Sequence, residues 1–317
     1  MTKKPLKKLA AVFALITLAG CSNSTETVTE STAATTSDSV VADLPVIAVT
    51  YSIIGDIVSQ LVGDNATVNV VIPDGQDPHE FQPSAKEIET INNAALVVSN
   101  GLEFEEGLEE VLENIADSGG NIFMIGDHIT VRKIEDGDEH NDENEGDHHH
   151  GGGDPHLWLS PATMLEMLPA LTTALSEATG ADLSAEATDL TTKLQVLDGE
   201  VESIIKSLDE CKLVSGHDEM GYFADRYGCE VIGAIIPSFT TTSEATAGEL
   251  AELKKLVEQN KVPAIFTGLG VSPDTANQLA KELGIEAVTL STHYLNGAAN
   301  YQGFILNLTN QIAEALG

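Results

Sequence analysis

Positive charge is scarce in this chain. Lys and Arg number 15 against 50 Asp and Glu, a formal net charge of −35 over 317 residues. So acidic a surface excludes nucleic acid as a partner, because phosphate backbones are met by basic patches. It suits solubility, high-salt life or the attraction of cations. Cysteine is nearly absent, with only Cys21, Cys211 and Cys229. Two enzyme signatures are missing altogether: a nucleophile elbow and a phosphate-cradling glycine loop. "HEFQP" at 79–83 begins like the helix motif of zinc proteases. Pro83 stands where the second His is required, and a proline there argues against that helix.

The amino terminus reads as a targeting signal. Lys3, Lys4, Lys7 and Lys8 precede an apolar run from Leu9 to Leu18 that is too short to span a bilayer, so residues 1–20 are expected to be an export signal. "LAGC", Leu18 to Cys21, looks like a bacterial lipobox, which implies cleavage before Cys21 and lipidation of its sulfur. Losing four lysines and no acid takes the formal charge to −39. Residues 21–43, rich in Ser and Thr, cannot bury enough apolar surface to offset ordering and are expected to be a flexible tether. Cys211 and Cys229 remain as an isolated pair, which can form a disulfide outside the cytoplasm if their strands are neighbours.

From residue 44 onward the chain alternates strand-like and helix-like segments. "VIAVT", "TVNVVIP", "LVVSNG" and "NIFMIG" read as strands. "SIIGDIVSQLVGD", "PSAKEIETINNAA" (with Ser84 and Glu87 spaced as a capping box) and "LEFEEGLEEVLENIADSG" read as helices. The alternation predicts an α/β fold with mainly parallel sheets covered on both faces. Ser160-Pro161 resembles an N-cap followed by a helix-starting proline. Leu190, Leu194, Leu197, Val201 and Ile204/Ile205 recur at helical spacing and predict one long helix over 184–208. The second half repeats the grammar of the first, with strands at "CKLVSGH", "CEVIGAI", "VPAIFTG" and "IEAVTLS". Its helices are "EMGYFADRYG", "SEATAGELAELKKLVEQN", "SPDTANQLAKELG" and "YQGFILNLTNQIAEAL". Two lobes are expected, 44–183 and 209–317, joined by the long helix.

Histidine marks where chemistry is expected. His79 follows a predicted strand in "PDGQDPHEFQPS", His156 precedes a helix in "GGGDPHLWLSP", and His217 and His293 fall at or just past strand ends. Ligands of open α/β sheets bind beyond the carboxyl ends of the strands, and imidazole suits a borderline-soft ion such as Zn²⁺. Asp-Pro-His occurs twice. Proline fixes its own φ and extends the preceding Asp, so Asp77 and Asp154 are placed to accept a hydrogen bond from a ligand ring or nearby backbone. An acidic loop, 132–153, interrupts the pattern. Eight carboxylates are interleaved there with His140, His148, His149 and His150, a composition expected to gather ions weakly. His128 is expected to have no part in the site.

In "VIPDGQDPHEFQPS", "DPHLWLSP" and "SGHDEMGYFADRYG", in that order, the chain resembles the zinc and manganese substrate-binding lipoproteins of bacterial ABC transporters. The resemblance covers about residues 44–317. It implies two (β/α)4-type lobes on a rigid linking helix and a metal ion between them held by His79, His156 and His217. It also implies a monomeric receptor, not an enzyme, lipid-anchored on the extracytoplasmic side of the membrane. Such a receptor hands its ion to an ABC permease driven by an ATPase subunit. His at the third position, where manganese receptors carry a carboxylate, favours zinc over manganese, as does the His-rich loop. An adhesive role, described for some members, would be secondary.

The last loop departs from the family. An Asp is usual where this chain reads "TLSTHYLNG", and Gly268 lies near where a Glu is common. The fourth ligand is therefore open among His293, Glu80 and water, and the alternative of a zinc metallohydrolase stays open with it, since three His and a water also describe catalytic zinc.

Overall fold

The computed structural model describes residues 44–133 and 152–317. The expected export signal 1–20, the lipid-bearing Cys21, the tether 21–43 and His140, His148, His149 and His150 lie outside the described residues.

β-Branched runs with polar boundaries form the strands. β1 (Val46–Val49) is followed by α1 (Ser52–Val62), β2 (Thr67–Val70), α2 (Ala85–Asn92), β3 (Leu96–Ser99), α3 (Glu109–Asp117) and β4 (Ile122–Met124). These four strands make one parallel sheet in the order β2-β1-β3-β4, with Val49 opposite both Val70 and Val98. β1 and β3 are buried almost throughout, as central parallel strands covered on both faces must be. α2 starts at the expected capping box, with Ser84 and Glu87 each capping the other's backbone.

Two long helices follow. α4 (Pro161–Thr179) opens on Ser160, whose hydroxyl accepts from Thr163 N–H, with Pro161 in its first turn, and closes on Gly180 in left-handed backbone. α5 (Ser184–Ile205) is the expected long helix, about 33 Å at 1.5 Å per residue, and Leu190, Leu194, Leu197, Val201 and Ile205 form its buried stripe. It runs through Gly199 unbroken and packs against both α1 and α4.

The second half comprises β5 (Lys212–His217), α6 (Gly221–Tyr227), β6 (Glu230–Ile236), α7 (Ala247–Asn260), β7 (Ala264–Thr267), α8 (Pro273–Leu283), β8 (Glu286–Thr289) and α9 (Tyr301–Leu316). β5 pairs parallel with β6, β7 pairs parallel with β8, and β7 lies alongside β5. Cys211 and Cys229 stand just before the neighbouring strands β5 and β6 and are joined by a disulfide, at the end of β5 opposite His217. One hydrophobic cluster runs from β1, β3 and α1 through Trp158, α4 and α5 to Phe223 on α6 and to α9. A second, built on Val214, Ile235, Leu253, Val257, Ile265 and Leu279, serves the second half alone.

Two helices start later than their sequence spacing suggests. "LEFEE" does not begin α3. Leu102 and Glu103 take left-handed backbone (φ 58° and 60°), and Phe104 and Glu105 turn into the core. Glu105 accepts there from Thr50 Oγ1 (2.5 Å) and Asn100 N–H (2.8 Å), bonds that tie down the carboxyl ends of β1 and β3. α7 starts at Ala247 because Thr246 and Glu249 form a capping box that fixes its first turn. Among the described residues no helix is long and apolar enough to cross a membrane.

Candidate metal centre

Four histidines meet where the carboxyl ends of the strands face inward. His79 sits on the turn after β2, His156 on the turn entering α4, His217 is the last residue of β5, and His293 follows β8. One ring nitrogen from each lies within 4.8 Å of the others, and all four side chains are buried. His156 Nε2 and His217 Nε2 are 3.0 Å apart. Ligands of a tetrahedral zinc with bonds of about 2.0–2.1 Å stand roughly 3.3 Å from one another, so this pair is already close to coordinating distance.

Each Asp-Pro-His turn works through its aspartate, but the two differ. Asp154 Oδ1 accepts from His156 N–H (3.0 Å) and also meets the ring Nδ1 at 2.8 Å. That bond fixes the tautomer and leaves Nε2 facing the cluster. Asp77 Oδ1 accepts only His79 N–H (3.1 Å), and the His79 ring Nδ1 faces Glu106 instead, at 3.7 Å. Glu106 also accepts from the Thr240 hydroxyl, and its proximity to His79 holds its carboxyl below the usual range. Glu80, a candidate fourth ligand, is exposed and outside the cluster, because the Asp77–His79 turn aims the imidazole inward and the next side chain out.

Glu219, two residues past His217, is buried with Oε1 3.8 Å from His217 Nδ1 and Oε2 3.6 Å from His293 Nδ1. His293 Nδ1 also meets the Thr292 hydroxyl at 2.9 Å. Burial drives the titrations here. It holds His156, His217 and His293 well below the usual imidazole range, and neighbouring imidazoles add to the effect. It also pushes Glu219 up to about 8 and Asp154 up to about 7, the latter opposed by His156 N–H and Arg132.

An aromatic and polar frame holds the rings. Phe104 packs edge-on to His79 and stacks beside His293, with centroids 4.9 and 6.0 Å away. Trp158 donates to Thr292 C=O (2.6 Å) and Tyr301 to Trp158 C=O (2.8 Å), which ties the His156 turn to the His293 loop and to α9. Asn100 donates to Pro155 C=O (2.9 Å) and accepts from Tyr51 (2.8 Å). Arg132 pairs with Asp225 on α6 (2.7 Å) and approaches Asp154 (3.5 Å). Gly221 makes room for that pair, since a Cβ there would sit 2.5 Å from the guanidinium carbon and 2.4 Å from Asp154 Oδ2.

Sequence spacing leaves Phe104, Glu106, Arg132 and Glu219 unmarked. Only Glu219, two residues past a predicted ligand in "SGHDEMGYF", carried a local signal. His128 stacks on Phe123 at the surface, away from the cluster.

Parallel sheets whose strand ends converge on four buried imidazoles define an α/β protein built around a candidate metal site. The chain belongs to the ZnuA family, zinc-uptake complex component A periplasmic, whose pattern it matches over residues 47–315. Zinc-binding lipoprotein AdcA of Streptococcus pneumoniae is 28% identical over 253 residues, covering 77% of this chain and 49% of that protein. The chain thus spans about half the length of the curated AdcA relatives it matches. Manganese-binding lipoprotein MntA of Halalkalibacterium halodurans is 24% identical over 245 residues, 76% of each chain. Among solved structures, the periplasmic zinc binding protein TroA from Treponema pallidum superposes with TM-score 0.72 at 23% identity, covering 86% of this chain and 99% of that one. A crystal structure of ZnuA gives 0.73 at 23% identity, covering 87% and all of that chain. The fold is the same in both.

Proposed function

We propose that this protein captures Zn²⁺ outside the cytoplasm and delivers it to a membrane permease driven by a separate ATPase. Residues 1–20 serve as its export signal, a lipid on Cys21 anchors it, and 21–43 tether the binding unit. Lobes 44–183 and 209–317 flank the linking helix 184–208, and His79, His156, His217 and His293 hold the ion.

One observation carries this reading: the four imidazoles are buried and converge, yet several of their nitrogens are left without hydrogen-bond partners. Both ring nitrogens of His79, Nδ1 of His217 and Nε2 of His293 are buried and unpaired. Each such group costs about 1–3 kcal/mol, and a cation at the centre of the cluster satisfies the inward ones together. Four imidazole nitrogens fill the coordination sphere zinc prefers, whereas a catalytic zinc keeps one position open for water. This favours a receptor over a hydrolase. Manganese prefers oxygen donors, so an all-nitrogen set favours zinc over the manganese that MntA is named for.

Calorimetry on residues 44–317 is the test. We expect one tight Zn²⁺ per chain, displaced poorly by excess Mn²⁺. Absence of a stoichiometric zinc site, or equal competition by Mn²⁺, overturns the zinc reading.

A further inference from the structure

Among the described residues, Glu219 is the one acidic group whose side chain lies within 4 Å of ring nitrogens of both His217 and His293. Its side chain is 3% exposed, and no lysine or arginine among the described residues pairs with it. A buried carboxylate without a cationic partner is costly, and such groups persist where a charge or a set of hydrogen bonds compensates. Its basic neighbours are the two imidazoles, whose Nδ1 atoms lie 3.8 and 3.6 Å from its two oxygens, just beyond hydrogen-bond length, and the Thr292 hydroxyl stands nearer to His293 Nδ1, at 2.9 Å. His217 Nδ1 and Glu219 Oε2 are both buried and without a partner. With Nε2 of His217 already facing His156, the nitrogen left for Glu219 is the outward one.

Charge completes the argument. Four neutral imidazoles bring no negative charge to a divalent ion, so its two positive charges must be balanced by surrounding groups. Asp154 is shared with Arg132, and Glu106 sits at 35% side-chain exposure, where water screens it. Glu219 is buried, with no lysine or arginine beside it among the described residues.

We propose that Glu219 is a positioning residue of the metal centre. With the ion bound, its ionised carboxylate receives the Nδ1–H of His217 and, beside the Thr292 hydroxyl, that of His293, turns both Nε2 atoms toward the ion, and supplies the buried negative charge the imidazoles lack. The proposal rests on the four-histidine reading above. It implies that Glu219 sets affinity and ring orientation without touching the ion, as carboxylates behind ligating imidazoles do.

The test compares wild type with Glu219→Gln and Glu219→Asp, using Zn²⁺ titration against a chromophoric chelator and the visible absorption of the Co²⁺-loaded protein. Glu219→Gln should lose about 10–100-fold in zinc affinity and shift the Co²⁺ bands, with Glu219→Asp partly restoring both. A merely structural residue would change the melting temperature but leave the Co²⁺ spectrum of the folded fraction unaltered. As a measurement that needs no variant, ¹⁵N-labelled zinc-loaded wild type should show slowly exchanging Nδ1–H signals for His217 and His293. Wild-type affinity and spectrum in Glu219→Gln, or missing Nδ1–H signals, overturn the Glu219 assignment while the receptor reading stands. Wild type that binds no zinc overturns both.

Discussion

The two halves of the chain hold their histidines by different means. In the first half, His79 and His156 each follow an Asp-Pro pair, and the aspartate two residues back accepts the histidine's own N–H, at 3.1 and 3.0 Å. In the second half, His217 and His293 are 76 positions apart by number and have no such tripeptide, yet both present Nδ1 to the single carboxylate of Glu219. The first arrangement is local, made by backbone constraint within three residues. The second is made only when the turn after β5 and the loop after β8 are folded side by side. A local clamp can orient an imidazole before the core forms, whereas a shared one depends on the whole.

Removing a ligand from the shared side should have the largest effect. His217→Ala should weaken zinc binding by more than about a hundredfold, exceeding the cost of losing an outer partner, and His293→Ala should do the same. Chelator competition checks both, and a His293→Ala protein that binds like wild type would remove it from the ligand set.

The two Asp-Pro-His turns offer the next contrast. Asp154 holds both the backbone and the ring of His156, so Asp154→Asn should cost about 10–100-fold in affinity. Asp77 holds only backbone, so Asp77→Asn should stay within about tenfold, the scale of a single hydrogen bond. Equal losses would mean that the turns act alike and the ring bond is unimportant.

pH should separate the halves further in the metal-free protein. His156, His217 and His293 are held below the usual imidazole range, so the unfolded chain takes up protons that the folded chain refuses, and stability falls as pH drops through about 6.5. Asp154 and Glu219 are pushed the other way, up to about 7 and about 8. Their protonated forms favour folding below the ordinary carboxylate range, and that contribution is lost as pH rises through those values. Thermal melts should therefore peak between about pH 6 and 7, where the two slopes cross. Asp154→Asn should remove the earlier part of the alkaline decline and Glu219→Gln the later part.

The smallest expected effect is on the tight site when residues 135–150 are deleted. Affinity there should be unchanged, with only weaker zinc binding lost. Disappearance of the tight site would assign its ligands to the acidic loop.

Much of this architecture was legible in the residues. The strand and helix alternation, the apolar stripe of α5 and the Ser84 and Ser160 caps are local patterns with short-range causes, and the structure has each of them. The starts of α3 and α7 were not legible. In "LEFEE" the burial of Phe104 and Glu105 overrides helix-compatible spacing, and the Thr246 cap is one of several Ser and Thr residues in "TTTSEAT" that could have served. At the centre itself, the histidines stood out as rare imidazoles at strand ends. The choice among His293, Glu80 and water could not be made from spacing, because Glu80 adjoins a predicted ligand while His293 lies far along the chain.

By itself the sequence determined the α/β order and the two Asp-Pro-His turns, because those features depend on residues within a few positions of one another. Only the tertiary structure decided that His293 joins the group, that Glu80 points to solvent, that Glu106 faces His79, and that Glu219 lies behind two rings at once. These depend on how distant strand ends converge over one shared hydrophobic core, and the cost of burying unpaired imidazoles and carboxylates is set by that convergence.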